Sequence, residues 1–380
     1  METMKNEKVT LYYCITYYQV FISIIKQLQN CGEADIILSD AIPDYESINR
    51  RLNGRIFRKI ILFTEKDFVK QARDKFHTER KKMGRINKLF TSKLRWIKIQ
   101  NLIITYAKNN FTLDLNEYGD IFVFGQGRSF APFLFAMKKK YILMEDSIDY
   151  FRKGINTYVD RNRMDHPRRF YLINRLLDLI GIYYYMGGYS HAEKAIEVNS
   201  NDNLVFSRCA KKKVTIVPRN ILIQNLSDIQ KKLVYDIFIG TQALSVDRRK
   251  KTALILTSPF LYDGLVESAK DLVFVYRQLI DQVCPDALVF IKPHPRDFVN
   301  YLEYQNELGT FILVDKNIPC EVFSFNSDIY FDLVVTISST AIQQADYAHK
   351  KINLGMEWFE SELKKVIEMR KSDGRKISAL

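Results

Sequence analysis

Short apolar runs that end in turn-forming residues alternate along the chain with stretches whose apolar positions recur every three to four residues. That is the pattern of strands alternating with helices. Val9-Thr-Leu-Tyr-Tyr-Cys14 opens a stretch, to residue 17, rich in β-branched and aromatic residues, which predicts an interior strand. In the following Gln19 to Gln29, the residues Val20, Phe21, Ile24, Ile25 and Leu28 share one helical face. Ala34 to Leu38 and Phe57 to Phe63 predict the next strands, so the chain begins as an α/β domain with parallel strands. Ile121 to Phe124 and Lys140 to Met144 predict two more. Leu204-Val-Phe206 and Val214 to Val217 read as short strands, and Asp228 to Phe238 as a helix. The polar run Asp247-Arg-Arg-Lys-Lys251 marks a boundary, giving expected domains of residues 1–245 and 246–380. Beyond it, Ala253 to Thr257 is the cleanest strand, a helix is expected from Val266 to Val283, and Leu288 to Ile291 is a strand. Between parallel strands such a crossover is right-handed. Phe311 to Val314 and Leu333 to Ile337 are further strands; Ile318 to Glu321 turns into a helix, and another helix is expected from Ala341.

Two stretches break this rhythm. From Lys66 to Lys98 the chain is strongly basic, densest at Arg80-Lys-Lys82, with Leu89, Phe90, Leu94 and Trp96 interleaved. The simplest reading is a solvated basic helix pair, with a membrane-surface or anionic-glycan patch as the functional alternative. Its aromatics are too sparse beside the charges for stacking single-stranded nucleic acid. Phe170 to Tyr189 is the longest apolar region, but Asn174, Arg175 and Asp178 lie within it. Charges near the centre make a membrane span unfavourable; a buried helix is expected, with an interfacial helix as the alternative.

Composition narrows the class. The 380 residues are 47% hydrophobic, enough apolar material for two cores. A formal net charge of +13 points to an anionic partner: nucleic acid, a membrane surface or an anionic small substrate. The five cysteines (Cys14, Cys31, Cys209, Cys284, Cys320) are scattered without metal spacing and read as reduced thiols of a cytosolic protein. The polar lead Met1-Glu-Thr-Met-Lys-Asn-Glu-Lys8 is not a signal peptide.

Chemistry gathers at strand ends. Leu288-Val-Phe-Ile-Lys-Pro-His-Pro-Arg-Asp297 sets His294 between two prolines just past a strand, where open α/β sheets bind ligands. Asp263 follows the cleanest strand in Tyr262-Asp263-Gly264, and Glu321 follows another. Ser338-Ser339-Thr340 offers three hydroxyls at a strand-to-helix junction, suited to an anion, although helix capping would need only one. Glu145-Asp146-Ser147 is a carboxylate pair at a strand end; like charges repel, so one can act as a base. Gly125-Gln-Gly127 lacks the rest of a dinucleotide or P-loop signature. His166-Pro167 has no strand feeding it and reads as a loop or a helix start.

The order Glu145-Asp146, Lys292-Pro-His-Pro-Arg296, Pro319-x-Glu321 and Ser338-Ser339-Thr340 resembles the bacterial sialyltransferases that decorate lipooligosaccharide and capsule. The Lys-Pro-His-Pro-Arg form looks most like the lipooligosaccharide family. The resemblance implies a GT-B-like fold: two Rossmann-like domains, an N-terminal acceptor-side one and a C-terminal donor-binding one, with a substrate cleft between them. It implies an inverting transfer of sialic acid from CMP-sialic acid to a terminal galactoside, with no metal and no cofactor. Carried over by motif, His294 binds the donor phosphate and assists departure of CMP. Ser338 and Ser339 hold the same phosphate with Thr340 beside them, Glu321 holds the ribose, and Lys292 is a further nucleotide contact. The base is Asp263 or Asp146, with Asp263 preferred: each departs from the family's acidic motif at one position, Ser147 replacing the glycine in one and Tyr262 the first carboxylate in the other. No nucleic-acid partner is expected; peripheral attachment to the inner face of the bacterial membrane is, and homodimerisation stays open. The alternatives are another nucleotide-sugar transferase, such as a UDP-glucose-dependent one, and a non-catalytic binder of anionic glycan or nucleic acid.

Overall fold

A computed structural model describes residues 8–52, 54–81, 95–124, 129–145, 167–183, 190–200, 212–240, 244, 246 and 249–377. The chain divides into two compact units, Met1–Ser227 and Asp228–Leu380.

The first unit carries strands β1 (Val9–Cys14), β2 (Ala34–Ser39), β3 (Lys59–Phe63), β4 (Tyr118–Phe124), β5 (Tyr141–Met144), β6 (Glu193–Val198) and β7 (Val214–Ile216). Its helices are α1 (Tyr17–Gln27), α2 (Tyr45–Leu52), α3 (Glu65–Lys81), α4 (Arg95–Asn110), α5 (Phe130–Ala136), α6 (Pro167–Leu179) and α7 (Arg219–Gln224). The strands form one parallel sheet in the order β3-β2-β1-β4-β5-β6-β7. The chain winds outward from β1 to β3, then returns to β4 and winds the other way, the doubly wound plan. β2 is buried along its whole length and β1 nearly so, and burial on both faces is why these segments read as unbroken apolar runs. β1 stops before the expected residue 17 because Thr16 caps α1, its hydroxyl accepting the Gln19 amide at 3.2 Å. At the carboxyl edge, buried Glu65 accepts hydroxyls from Tyr13 of β1, Ser39 of β2 and Ser129 beside α5, which ties three strand ends together.

The second unit contains α8 (Asp228–Ile239), β8 (Thr252–Leu256), α9 (Ala269–Val283), β9 (Leu288–Lys292), β10 (Phe311–Leu313), β11 (Phe331–Thr336), β12 (Ala348–Asn353) and α10 (Gly355–Ile377). Its sheet is also parallel, ordered β10-β9-β8-β11-β12, so it repeats the doubly wound plan with its reversal between β8 and β11. Ala253, Ile255, Val275, Leu279, Ile291 and Val335 fill the core between this sheet and its helices. The architecture is therefore α/β with two Rossmann-like units.

The division falls before α8 rather than after it, because α8 packs on the 3-10 helix Cys320–Phe325 of the second unit. The strand expected at 204–206 lies outside the described residues. Neither β6 nor β12 was expected: Glu193, Lys194 and Glu197 in the one, and His349, Lys350 and Lys351 in the other, hide the strand pattern. Of the basic stretch Lys66 to Lys98, residues 82–94 lie outside the described residues; α3 covers its start and α4 begins at its end, and the two helices pack together, with Ala72, Phe76, Ile103 and Ala107 buried. The expectation of a buried helix in Phe170 to Tyr189 is corrected: α6 carries exposed aliphatic side chains.

Candidate active site

The carboxyl edge of the second sheet gathers the expected residues. β8 and β9 run on side by side past their last formal pairs, Thr257 N–H donating to the Lys292 carbonyl at 3.1 Å. Pro293 and Pro295 then act as the sequence suggests. Pro295 takes the second position of a turn closed by Asp297 N–H to the His294 carbonyl at 2.8 Å, where its fixed φ is favourable. The turn sets His294 by two bonds. Its amide donates to Thr257 Oγ1 at 3.0 Å, and its Nδ1 accepts the Arg296 amide at 3.1 Å. An occupied Nδ1 leaves the neutral ring's proton on Nε2, free to donate outward. Burial, with the nearby charges of Arg296 and Lys292, lowers the His294 pKa to about 4, so the ring is neutral in water near pH 7.

The support beneath this histidine is a buried carboxylate that carried no assigned role in the sequence reading. Asp297, 2% exposed, accepts Thr257 Oγ1 and the Tyr301 hydroxyl, each at 2.7 Å, and the Val299 amide at 3.1 Å. Thr257 thus donates to Asp297 while accepting from His294, and the chain Asp297–Thr257–His294 fixes the turn.

At the reversal between β8 and β11, Ser258 Oγ and Ser338 Oγ lie 3.1 Å apart. Ser258 is buried, and its amide donates to the Tyr276 hydroxyl at 2.8 Å; Ser338 is exposed. Ser339 takes the structural role open to that run, its hydroxyl capping the 3-10 helix Thr340–Gln344. The Ser339 amide already donates to Thr336 Oγ1 at 3.0 Å. Five residues of 3-10 helix supply little of the aligned dipole expected at that junction. Of the three hydroxyls, those of Ser338 and Thr340, both exposed residues, are therefore not spent on the cap. Ser258 was missed, although Thr257-Ser258 ends the cleanest strand and could have been found by the same hydroxyl-at-strand-end rule.

Lys292 and Glu321 join this edge. Lys292, 4% exposed at the end of β9, donates to the Lys316 carbonyl at 3.3 Å. Glu321 stands in the first turn of the 3-10 helix begun by Pro319. Burial raises its pKa, and the charge of Lys292 pulls it back. One buried cation thus acts on both His294 and Glu321.

The two base candidates fare differently. Asp263 lies in the turn after β8, made by Gly264 at φ +73°, a conformation that favours glycine. It is partly exposed and pairs with Arg296 at 3.7 Å, while the Arg296 guanidinium lies 5.3 Å over the Tyr262 ring. In the first unit Glu145 is buried past β5. Its carboxylate accepts the Asn199 amide at 2.7 Å and its carbonyl accepts Arg219 Nη2 at 2.8 Å, so it pins the loop after β6 and the start of α7. Asp146 lies outside the described residues, as do Gly125 to Gly127 and His166.

A family model described as alpha-2,8-polysialyltransferase (POLYST) matches residues 10–353. No curated protein sequence matches the chain. Among solved structures, a sialyltransferase from Photobacterium damsela is similar at 14% identity, with TM-score 0.48, over 90% of this chain and 74% of that one. The UDP-GlcNAc 2-epimerase from Neisseria meningitidis bound to UDP-GlcNAc is similar at 12% identity, TM-score 0.46, over 88% and 78%. The UDP-GlcNAc 2-epimerase from Methanocaldococcus jannaschii is similar at 13% identity, TM-score 0.44, over 95% and 91%.

Proposed function

The chain belongs to the alpha-2,8-polysialyltransferase family and is a sialyltransferase; we propose that it takes sialic acid from CMP-sialic acid, without a metal, and transfers it with inversion to the end of a surface glycan. The likeness of the Lys-Pro-His-Pro-Arg run to the lipooligosaccharide sialyltransferases belongs to the same proposal, and a glycosyltransferase replaces the non-catalytic binder reading. In the proposed reaction the bond between the anomeric carbon and the phosphate oxygen of CMP breaks, its electron pair leaving on that oxygen. The acceptor hydroxyl bonds the anomeric carbon from the opposite side and gives its proton to a carboxylate.

The observation that supports this most is the state of His294. A neutral imidazole with Nδ1 occupied presents Nε2–H, a donor that strengthens as charge grows on a leaving phosphate oxygen. Ser338, paired with Ser258, donates to the same phosphate, with Ser339 and Thr340 beside it. Lys292 adds positive potential and Glu321 takes the ribose. The Arg296 ion pair occupies Asp263, which turns the preference for the base from Asp263 to Asp146.

For the acceptor, the family description and the +13 charge favour a sialic-acid-terminated chain over the terminal galactoside. Lys66, Lys70 and Arg73 recur along one face of α3 and, with Val69 and the carboxylates Glu65 and Asp74, line a cavity of about 300 Å³; its three cations outnumber its two carboxylates and are suited to the carboxylates of such a chain. Cytoplasmic location, peripheral attachment to the inner face of the membrane and independence of nucleic acid belong to the same proposal; among the described residues no helix is long and apolar enough to cross a membrane.

The test is CMP release from CMP-sialic acid with no acceptor, a galactoside or a sialylated oligomer, beside thermal shift with CMP against UDP. Release stimulated most by the sialylated oligomer is expected. Stimulation by the galactoside alone moves the acceptor reading, stabilisation by UDP alone moves the donor, and no release at all sinks both.

A further inference from the structure

Helix α6 is mounted with its carboxylate inward and its aliphatics outward. Leu172, Ile173, Leu176, Leu179 and, in the turn after the helix, Ile180 are 61%, 45%, 64%, 77% and 69% exposed. Their spacing is that of one helical stripe. Asp178 is instead buried, and there it accepts the Ser190 hydroxyl at 3.2 Å, the His191 amide at 2.8 Å, His191 Nδ1 at 2.5 Å and Arg175 Nη1 at 3.3 Å. His191 in turn packs on the Phe135 ring with centroids 5.6 Å apart. Three donors, from Ser190 and His191, thus hold one face of α6 to the unit, and the large aliphatic side chains point away from it. In water alone the opposite mounting would be favoured, since burying such side chains is the dominant favourable term in folding. A contiguous aliphatic stripe held outward marks a docking face.

We propose that α6 docks, stripe first, on an anionic lipid bilayer. Thirteen residues make a helix of about 20 Å, short of the ~30 Å hydrocarbon thickness, so the helix lies in the plane of the interface. The stripe is aliphatic throughout, and the charges flanking its start are of one sign, Arg168 and Arg169, both exposed. A protein interface would more usually show aromatic anchors and a mixed polar rim. A second copy of a chain of net charge +13 would meet this face against like-charge repulsion, whereas anionic headgroups would be attracted to it. The docking face rests on the peripheral attachment proposed above. It is read without donor or acceptor, so its failure and a failure of sialyl transfer are separate results.

Flotation of the full chain with phosphatidylcholine vesicles, alone or with roughly a third phosphatidylglycerol, tests it. The wild-type chain floats with the anionic vesicles. The variant L172S/L176S/L179S loses about ten-fold or more of that binding while keeping transfer to a soluble acceptor. R168E/R169E loses about ten-fold, with the loss confined to the anionic vesicles. A wild-type chain that stays lipid-free overturns the proposal, as does a triple variant that floats as well as the parent. Light scattering that shows a wild-type dimer which the triple variant dissociates overturns it too, and gives the stripe to a second copy.

Discussion

His294 is held neutral by its surroundings and oriented by its neighbours, and these facts give separable tests. Replacing it with alanine removes the Nε2–H donor, and turnover of CMP-sialic acid is expected to fall by about 10²–10³-fold with the fold intact, checked by CMP release beside a melting curve. The pH dependence follows from the depressed pKa. In the unfolded chain the imidazole titrates near 6.5; in the folded chain it titrates at about 4. Between those values the unfolded chain binds a proton that the folded one does not, so stability falls as pH drops from 6.5 towards 4 and this group adds no further slope below that. The loss is on the order of 2–3 kcal/mol after allowing for partial exposure. His294→Gln is expected to flatten that part of the melting-temperature profile; an unchanged profile would show that the depression is absent. Beneath it, Thr257→Val removes a buried hydroxyl that both Asp297 and the His294 amide use, with an expected cost of roughly 1–3 kcal/mol and a lower kcat. Thr257→Ser keeps the hydroxyl, and kcat should recover with it.

Elements were legible where burial wrote a pattern and hidden where it did not. The two-sided burial of β1, β2, β8 and β9 turns them into plain apolar runs, and the strand–helix alternation gave the parallel α/β class from those runs alone. Edge strand β12 exposes His349, Lys350 and Lys351, so it offered no such run. The candidate site was legible for the same topological reason: residues immediately past parallel strands must share one edge, which brings Lys292, His294, Glu321 and Ser338 together. What spacing could not show was the division of labour among them. Ser339 spends its hydroxyl on a cap, buried Asp297 supports the turn, and Ser258 partners Ser338 from a strand far away in sequence. Glu145 likewise reads as half of a carboxylate pair, yet it holds the Asn199 amide. The base is therefore best sought by comparing Asp146→Asn with Asp263→Asn. Transfer is expected to fall by about 10²–10⁴-fold in the first and far less in the second, where only an exposed ion pair is lost. The reverse order, measured as sialyl transfer at saturating donor, would return the role to Asp263.

At the scale of the whole molecule the dominant quantity is charge. A net +13 raises the local concentration of any polyanionic acceptor, and steering of this kind acts on encounter rather than on the chemical step. Salt screens it: the Debye length shrinks from about 10 Å at 0.1 M to about 3 Å at 1 M. If the acceptor is a sialylated chain, KM for that acceptor should climb steeply with ionic strength while kcat stays nearly level. A neutral galactoside should show neither trend. The cations lining the α3 cavity allow a local version of the same experiment. Lys66, Lys70 and Arg73 are exposed and far in sequence from the donor-binding unit, so reversing them to glutamate should leave CMP affinity and the melting temperature close to wild type. Each reversal replaces an attraction for a carboxylate with a repulsion, worth on the order of 1 kcal/mol per site at moderate salt. The triple variant is therefore expected to raise the acceptor KM by ten-fold or more, with the effect fading as salt is added. A KM that rises equally at low and high salt would mean that the cavity acts by shape, and an unchanged KM would remove α3 from the acceptor path.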